Sequence, residues 1–193
     1  MDFGEFIRSL TIFDLVFFLF VFGFFVLGYA QGTIRRLLGL AAVMFSFLFA
    51  ANIRDPLGSF LASNWTQFPR EYAYMIGFLT MFLAAWIALT VAIQTFYTTQ
   101  PLWEKYRFVD EVIGGILGAI EACLLLVIAI VILDSFFVIP GIQESGNELH
   151  FLRGFWEYMD EAQVTAFFRE NVVPLFFVIF GLFIPDDIEQ IVA

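Results

Sequence analysis

Glu121 is the one charged residue in the apolar run from Val112 to Leu133. A carboxylate in that setting can bind a proton or an ion, tie two helices by hydrogen bonds, or meet another subunit. Charge near a bilayer centre costs at least ~2.5 kcal/mol on insertion scales, so an intramembrane carboxylate marks a candidate functional position. The spacing around it is informative. Gly114, Gly118 and Ala122 recur every fourth residue, a small-residue stripe that lets a second helix backbone come close. Glu121 follows Gly118 by three positions, so it shares the packing side and lies roughly 15 Å along the helix from Asp110 at ~1.5 Å per residue. The structural reading of Glu121 is interhelical glue to Thr90, Gln94 or Ser46. An ion-linked reading asks for several polar companions at the midplane, and the sequence supplies few.

Other chemistry is not signalled. No nucleophile and base, paired carboxylates, phosphate loop or metal-ligand spacing stands out, and the lone His150 has no convincing catalytic partner. Cys123 is the single cysteine, so an intrachain disulfide is excluded and no Cys-His metal set exists. No enzyme activity, catalytic residue, cofactor or metal is expected. The net charge is -10, but nine of the nineteen acidic residues lie beyond Ser135, where only Arg153 and Arg169 oppose them. Lys and Arg are scattered in ones and twos, without the basic patch that nucleic-acid binding requires.

The elements that must position these residues are membrane helices. Hydrophobic residues make up 61% of the chain, 28 of the 193 are phenylalanine and 15% are charged, against roughly 25% charged in soluble domains. The apolar residues come in blocks rather than in amphipathic alternation. Four blocks, at about 11–30, 37–52, 72–97 and 112–134, are read as transmembrane helices. The first is a retained span, because Asp2, Glu5 and Arg8 sum to -1 where a signal peptide is positive. Asn52, Arg54, Asp55 and Pro56 are read as the end of the second helix. Thr11 and Asp14 have capping-box spacing, and Asp110 and Glu111 precede the fourth helix, where negative charge suits the dipole. Gly28 and Gly32 repeat the small-residue spacing.

The fold expected is therefore all-α: residues 1–134 as a four-helix transmembrane domain, and 135–193 as an acidic, aromatic tail. Phe151, Phe155 and Met159 recur at helical spacing beside Trp156 and Tyr158, the signature of an interfacial helix. The final run, 172–184, has 13 residues with Pro174 and Gly181 inside; that is short for a span, so it is read as re-entrant, interfacial or packed on the bundle. Arg35, Arg36, Lys105 and Arg107 fall on one face, against Arg8, Arg54 and Arg70 on the other. By the positive-inside rule the first group is cytoplasmic, with head-group contact for Arg35 and Arg36, and both termini are extracytoplasmic.

Two motifs carry a family resemblance. Asp14 opens the first span, which leads into Gly28-Tyr29-Ala30-Gln31-Gly32, Arg35 and Leu37-Leu38-Gly39-Leu40; the second motif is Asp110-Glu111-Val112-Ile113-Gly114-Gly115-Ile116-Leu117-Gly118. Together they resemble the colicin V production (CvpA-like) family of bacterial membrane proteins. The family often has basic residues where Ala30 and Gln31 stand, and a basic residue and a glycine where Glu121 and Ala122 stand. The resemblance implies a four-span protein of the bacterial plasma (inner) membrane linked to toxin production or export and to envelope stress tolerance. Three roles follow as expectations: an accessory or scaffold among other membrane subunits or copies of itself, a small oligomeric channel or transporter with Glu121 in its path, or an accessory subunit of a bioenergetic complex.

Overall fold

The computed structural model describes residues 10–65, 69–97, 106–137 and 150–184, and Arg8 and Lys105 lie outside them. All regular elements among these residues are helical. Helices α1 (Ile12–Gln31), α2 (Thr33–Asn64), α3 (Arg70–Phe96) and α4 (Arg107–Phe137) form the bundle. The tail contributes α5 (His150–Asp160) and a composite helix: α6 (Gln163–Phe167), a π-helical turn (Phe168–Val172), α7 (Val173–Phe180) and a 3-10 turn (Gly181–Phe183).

Three expected boundaries change. α4 begins at Arg107 rather than 112, so Asp110 and Glu111 lie inside its first turns and do not precede it. α2 does not stop near Asn52 but continues through Pro56 to Asn64. Proline removes one backbone donor and crowds the carbonyl four residues earlier; here the neighbouring polar side chains bond inside the helix, with Asn52 Nδ2 donating to Leu48 O at 2.8 Å and Ser59 Oγ to Pro56 O at 3.0 Å. The far half of α2 is also held from outside, where Gly58 leaves room for the Tyr74 ring that a Cβ there would overlap. The last apolar run is likewise longer than expected. It begins at Gln163, so Gln163–Phe183 is 21 residues long, and Pro174 is absorbed by the wider π-helical turn that precedes it.

Among the described residues five helices are thus long and apolar enough to cross a membrane. Contacts distinguish the fifth from the rest. α1 and α4 run antiparallel, with Gly28 against Gly114 and Phe24 against Gly118, which sets Phe17 level with Leu125. α2 runs parallel to α4, with Thr33 donating to Asp110 O at 3.0 Å and Gly39 facing Glu121, so Phe47 and Asn52 are also level with the last turns of α4. The composite helix meets Asp14 through Val164, Phe17 through Phe168 at 5.7 Å between ring centroids, Phe47 through Phe176 at 5.4 Å, and Asn52 through Phe183 O at 3.4 Å. Its start, middle and end therefore all lie at one end of the bundle. An upright helix of that length would rise about 30 Å; this one lies across the bundle's Asp14 end.

The core is continuous from the bundle into the tail. Phe47, Phe78, Ile130 and Phe136 are buried with Met159, Phe168 and Phe176 in one cluster. Lipid tails are as apolar as these side chains, so close backbone approach and internal hydrogen bonds hold the spans together. α1 rests on α4 for this reason. A Cβ on Gly114 would lie 2.5 Å from Gly28 O, and one on Gly118 would overlap Phe24 O. The link from α1 to α2 is a single residue, Gly32, whose φ of 80° suits glycine. It swings α2 away from α1 and towards α3 and α4.

Candidate functional site

The stripe of Gly114, Gly118 and Ala122 turns one face of α4 to α1, and Glu121 occupies the adjoining face, towards α2. Glu121 is 5% exposed and Arg36, one turn into α2, is 6% exposed. Arg36 Nη1 donates to Glu121 Oε2 at 2.6 Å. Arg36 turns its side chain into the bundle, where the guanidinium also lies 5.5 Å from the Phe24 ring centroid. Gly39 makes room for the pair: a Cβ there would come within 3.1 Å of Glu121 Oε1. Burial of either charge alone would be costly, and the short charge-assisted bond offsets it.

The pair borders a cavity of about 180 Å³ whose polar lining is Gln31, Arg35, Arg36, Thr90, Gln94 and Glu121. Thr90 and Gln94, proposed partners of Glu121 from sequence, thus share its cavity, while Ser46 Oγ donates to its own helix at Ala42 O, 2.7 Å away. Arg36 Nε has no hydrogen-bond partner among the described residues. Arg107 pairs with Glu111 one turn on, at 2.9 Å, and borders a second groove with Tyr29, Ala30, Gln31, Gly32 and Asp110. Asp110 is buried, and its Oδ2 would lie 2.5 Å from a Cβ on Gly32. Its charge therefore sits at the start of α2, another helix than its own, where the dipole favours it.

At the opposite end, Asp14 is fully buried. It closes the capping box with Thr11, whose N–H donates to Asp14 Oδ2 at 2.7 Å, and it also accepts the N–H of Val164 at 2.8 Å and of Gln163 at 3.4 Å. α6 begins after Ala162, which offers no side-chain cap, so Asp14 supplies one from the other end of the sequence. Asp134, near the end of α4, is held in a fork by Arg169, Nε to Oδ2 and Nη2 to Oδ1, each at 2.7 Å. Trp156 Nε1 donates to Asp134 Oδ1 at 2.9 Å, and Arg169 also reaches Asp160. Neither Asp134 nor Arg169 stood out in the sequence. Asp134 is the first charge after an apolar span and reads as a span end; only the fold brings Arg169 to it.

Among the described residues no cluster of His, Cys, Asp and Glu is placed to hold a metal ion. The geometry is that of a membrane bundle with charges buried in pairs or at helix ends. A family model described as colicin V production protein matches residues 13–174. The chain belongs to that family. No curated protein and no solved structure was found to match it. This colicin V production family member is a multi-pass membrane protein, and the match runs from the capping aspartate of α1 through the π-helical turn of the tail. Gly28, Gly32, Asp110, Gly114 and Gly118, which carried the resemblance, meet at one α1–α4 contact.

Proposed function

We propose that this protein is a non-enzymatic accessory or scaffold subunit of a bacterial envelope complex that serves toxin production or export and envelope stress tolerance, with both termini outside the cytoplasm. The observation that carries the reading is the division of labour along α1. That helix packs on α4 through Phe17 and Gly28, yet only 17% of its best apolar window is buried. Leu15, Phe18, Leu19 and Phe22 face outward. Such a surface is open to lipid or to a neighbouring subunit. The buried carboxylates, by contrast, are engaged inside the fold: Asp14 and Asp110 at helix starts, Glu121 and Asp134 on guanidinium groups. That pattern supports assembly rather than turnover.

The test is the mass and composition of the particle extracted from its native membrane in mild detergent. Stoichiometric foreign subunits are expected. A lone monomer with no partner captured by crosslinking would overturn the scaffold reading.

The channel reading has one observation in its favour, the polar cavity beside Glu121. It is opposed by the apolar core that continues from there to the Asp14 end. Ion flux in liposomes that vanishes in Glu121→Gln would favour the channel.

A further inference from the structure

We infer that the cavity between α1, α2, α3 and α4 binds a phosphate-bearing anion, supplied by the head group of an anionic glycerophospholipid. The inference does not depend on the scaffold reading. It rests first on Arg36. That side chain is buried, one guanidinium nitrogen is committed to Glu121, and Nε faces no acceptor among the described residues. Buried charged donors without an acceptor are rare and call for one. A guanidinium presents a planar fork that matches phosphate oxygens bidentately.

The surroundings fit the same ligand. Arg35 lines the cavity beside Arg36, so the lining carries two cations against the one carboxylate of Glu121, a net charge suited to a monoanion. Gln31, Gln94 and Thr90 add neutral donors. The space of about 180 Å³ far exceeds the roughly 10–15 Å³ that one water needs, and accommodates a phosphodiester group. Gln31 ends α1, Arg35 is in the first turn of α2 and Gln94 is in the last turn of α3. The cavity thus opens at head-group depth through Gln31, Arg35 and Gln94 and runs inward to Glu121, midway along α4. The remaining walls, including Leu27, Ile93 and Trp86, are apolar. A free phosphate leaves those walls unmatched, whereas a lipid lays its glycerol and acyl chains along them.

The full chain, purified in neutral detergent and stripped of lipid, is titrated separately with phosphatidylglycerol, phosphatidylcholine and glycerol phosphate. Binding is read by native mass spectrometry and by the thermal midpoint. Phosphatidylglycerol is expected to be retained and to raise the midpoint, and phosphatidylcholine is expected to be lost. Arg35→Gln, at a side chain outside the buried ion pair, is expected to weaken phosphatidylglycerol by about tenfold to a hundredfold, the range of one charge-assisted hydrogen bond, without moving the ligand-free midpoint. Glu121→Gln leaves the buried Arg36 charge without its carboxylate, so the ligand-free midpoint is expected to fall and phosphatidylglycerol, which resupplies an anion, to raise it by more than in the unaltered chain. Glycerol phosphate as effective as the lipid would uphold the phosphate site and assign it to a soluble source. Equal retention of both lipids, or phosphatidylglycerol binding untouched by Arg35→Gln, would overturn the inference.

Discussion

Arg36 and Glu121, 85 positions apart in sequence, meet at 2.6 Å in the interior of a membrane bundle. An ion pair in that position is a weak source of stability but a strict constraint. Both charges are tolerated together, and either one alone is not.

Arg36→Met leaves Glu121 buried without a partner and is expected to destabilise the fold by about 3–5 kcal/mol, the usual cost of breaking a buried pair. Arg36→Met combined with Glu121→Met should recover most of that loss. Thermal unfolding in detergent, followed by tryptophan fluorescence, checks both. A double variant no more stable than the single one would show that the pair does more than neutralise itself.

Two glycines of α1 provide a matched comparison. A Cβ at Gly23 meets nothing within 4 Å, whereas one at Gly28 overlaps the Gly114 carbonyl. Gly23→Ala is expected to be neutral or stabilising by up to ~1 kcal/mol through helix propensity. Gly28→Ala is expected to part α1 from α4 and lower the midpoint. Equal effects of the two would mean that the close approach is not what holds this contact.

Asp14 is expected to matter for two helices at once. Loss of a cap costs roughly 0.5–2 kcal/mol, and Asp14→Ala removes the cap of α1 and the cap of α6 together. Asp14→Asn keeps an acceptor oxygen and should retain more of the stability. Hydrogen exchange at Val164 reads the second cap directly, and unchanged protection there in Asp14→Ala would refute the shared role.

Asp134→Asn should loosen the tail while leaving the bundle folded. The fork from Arg169 loses its charge and the Trp156 N–H its strongest acceptor. Faster hydrogen exchange across α5 and α6, with α2 and α3 unaffected, is the expected pattern. Uniform loss of protection would instead make Asp134 part of the bundle's own stability.

Much of this architecture was legible in the residues. The apolar blocks, the glycine stripe of α4 and the Thr11–Asp14 box depend on local spacing, and local spacing survives in any fold. What escaped was set by distant contacts. Pro56 reads as a helix end because its backbone cost is local, while the packing of Gly58 on Tyr74 that carries α2 past it is not. Arg169, Glu170 and Asn171 hid the length of the last helix in the same way, since nothing in the sequence announces the π-helical turn that carries them. Arg36 looked like a charge with no partner in the protein because that partner, Glu121, lies in another span. Gly39 looked like one small residue among leucines, and only the carboxylate opposite explains its lack of a side chain.

The bond from Val164 to Asp14 joins α1 to residues made long after it. As the chain leaves the ribosome, α1 enters the membrane with its capping aspartate only half engaged, and it stays so until some 150 further residues have been added. Its packing partner α4 also arrives late, after α2 and α3 are complete. The capping of α1 is therefore completed only by the tail: a chain stopped before Gln163 keeps α1 to α4 yet leaves Asp14 with its Thr11 bonds alone, a mark by which an unfinished molecule differs from a finished one.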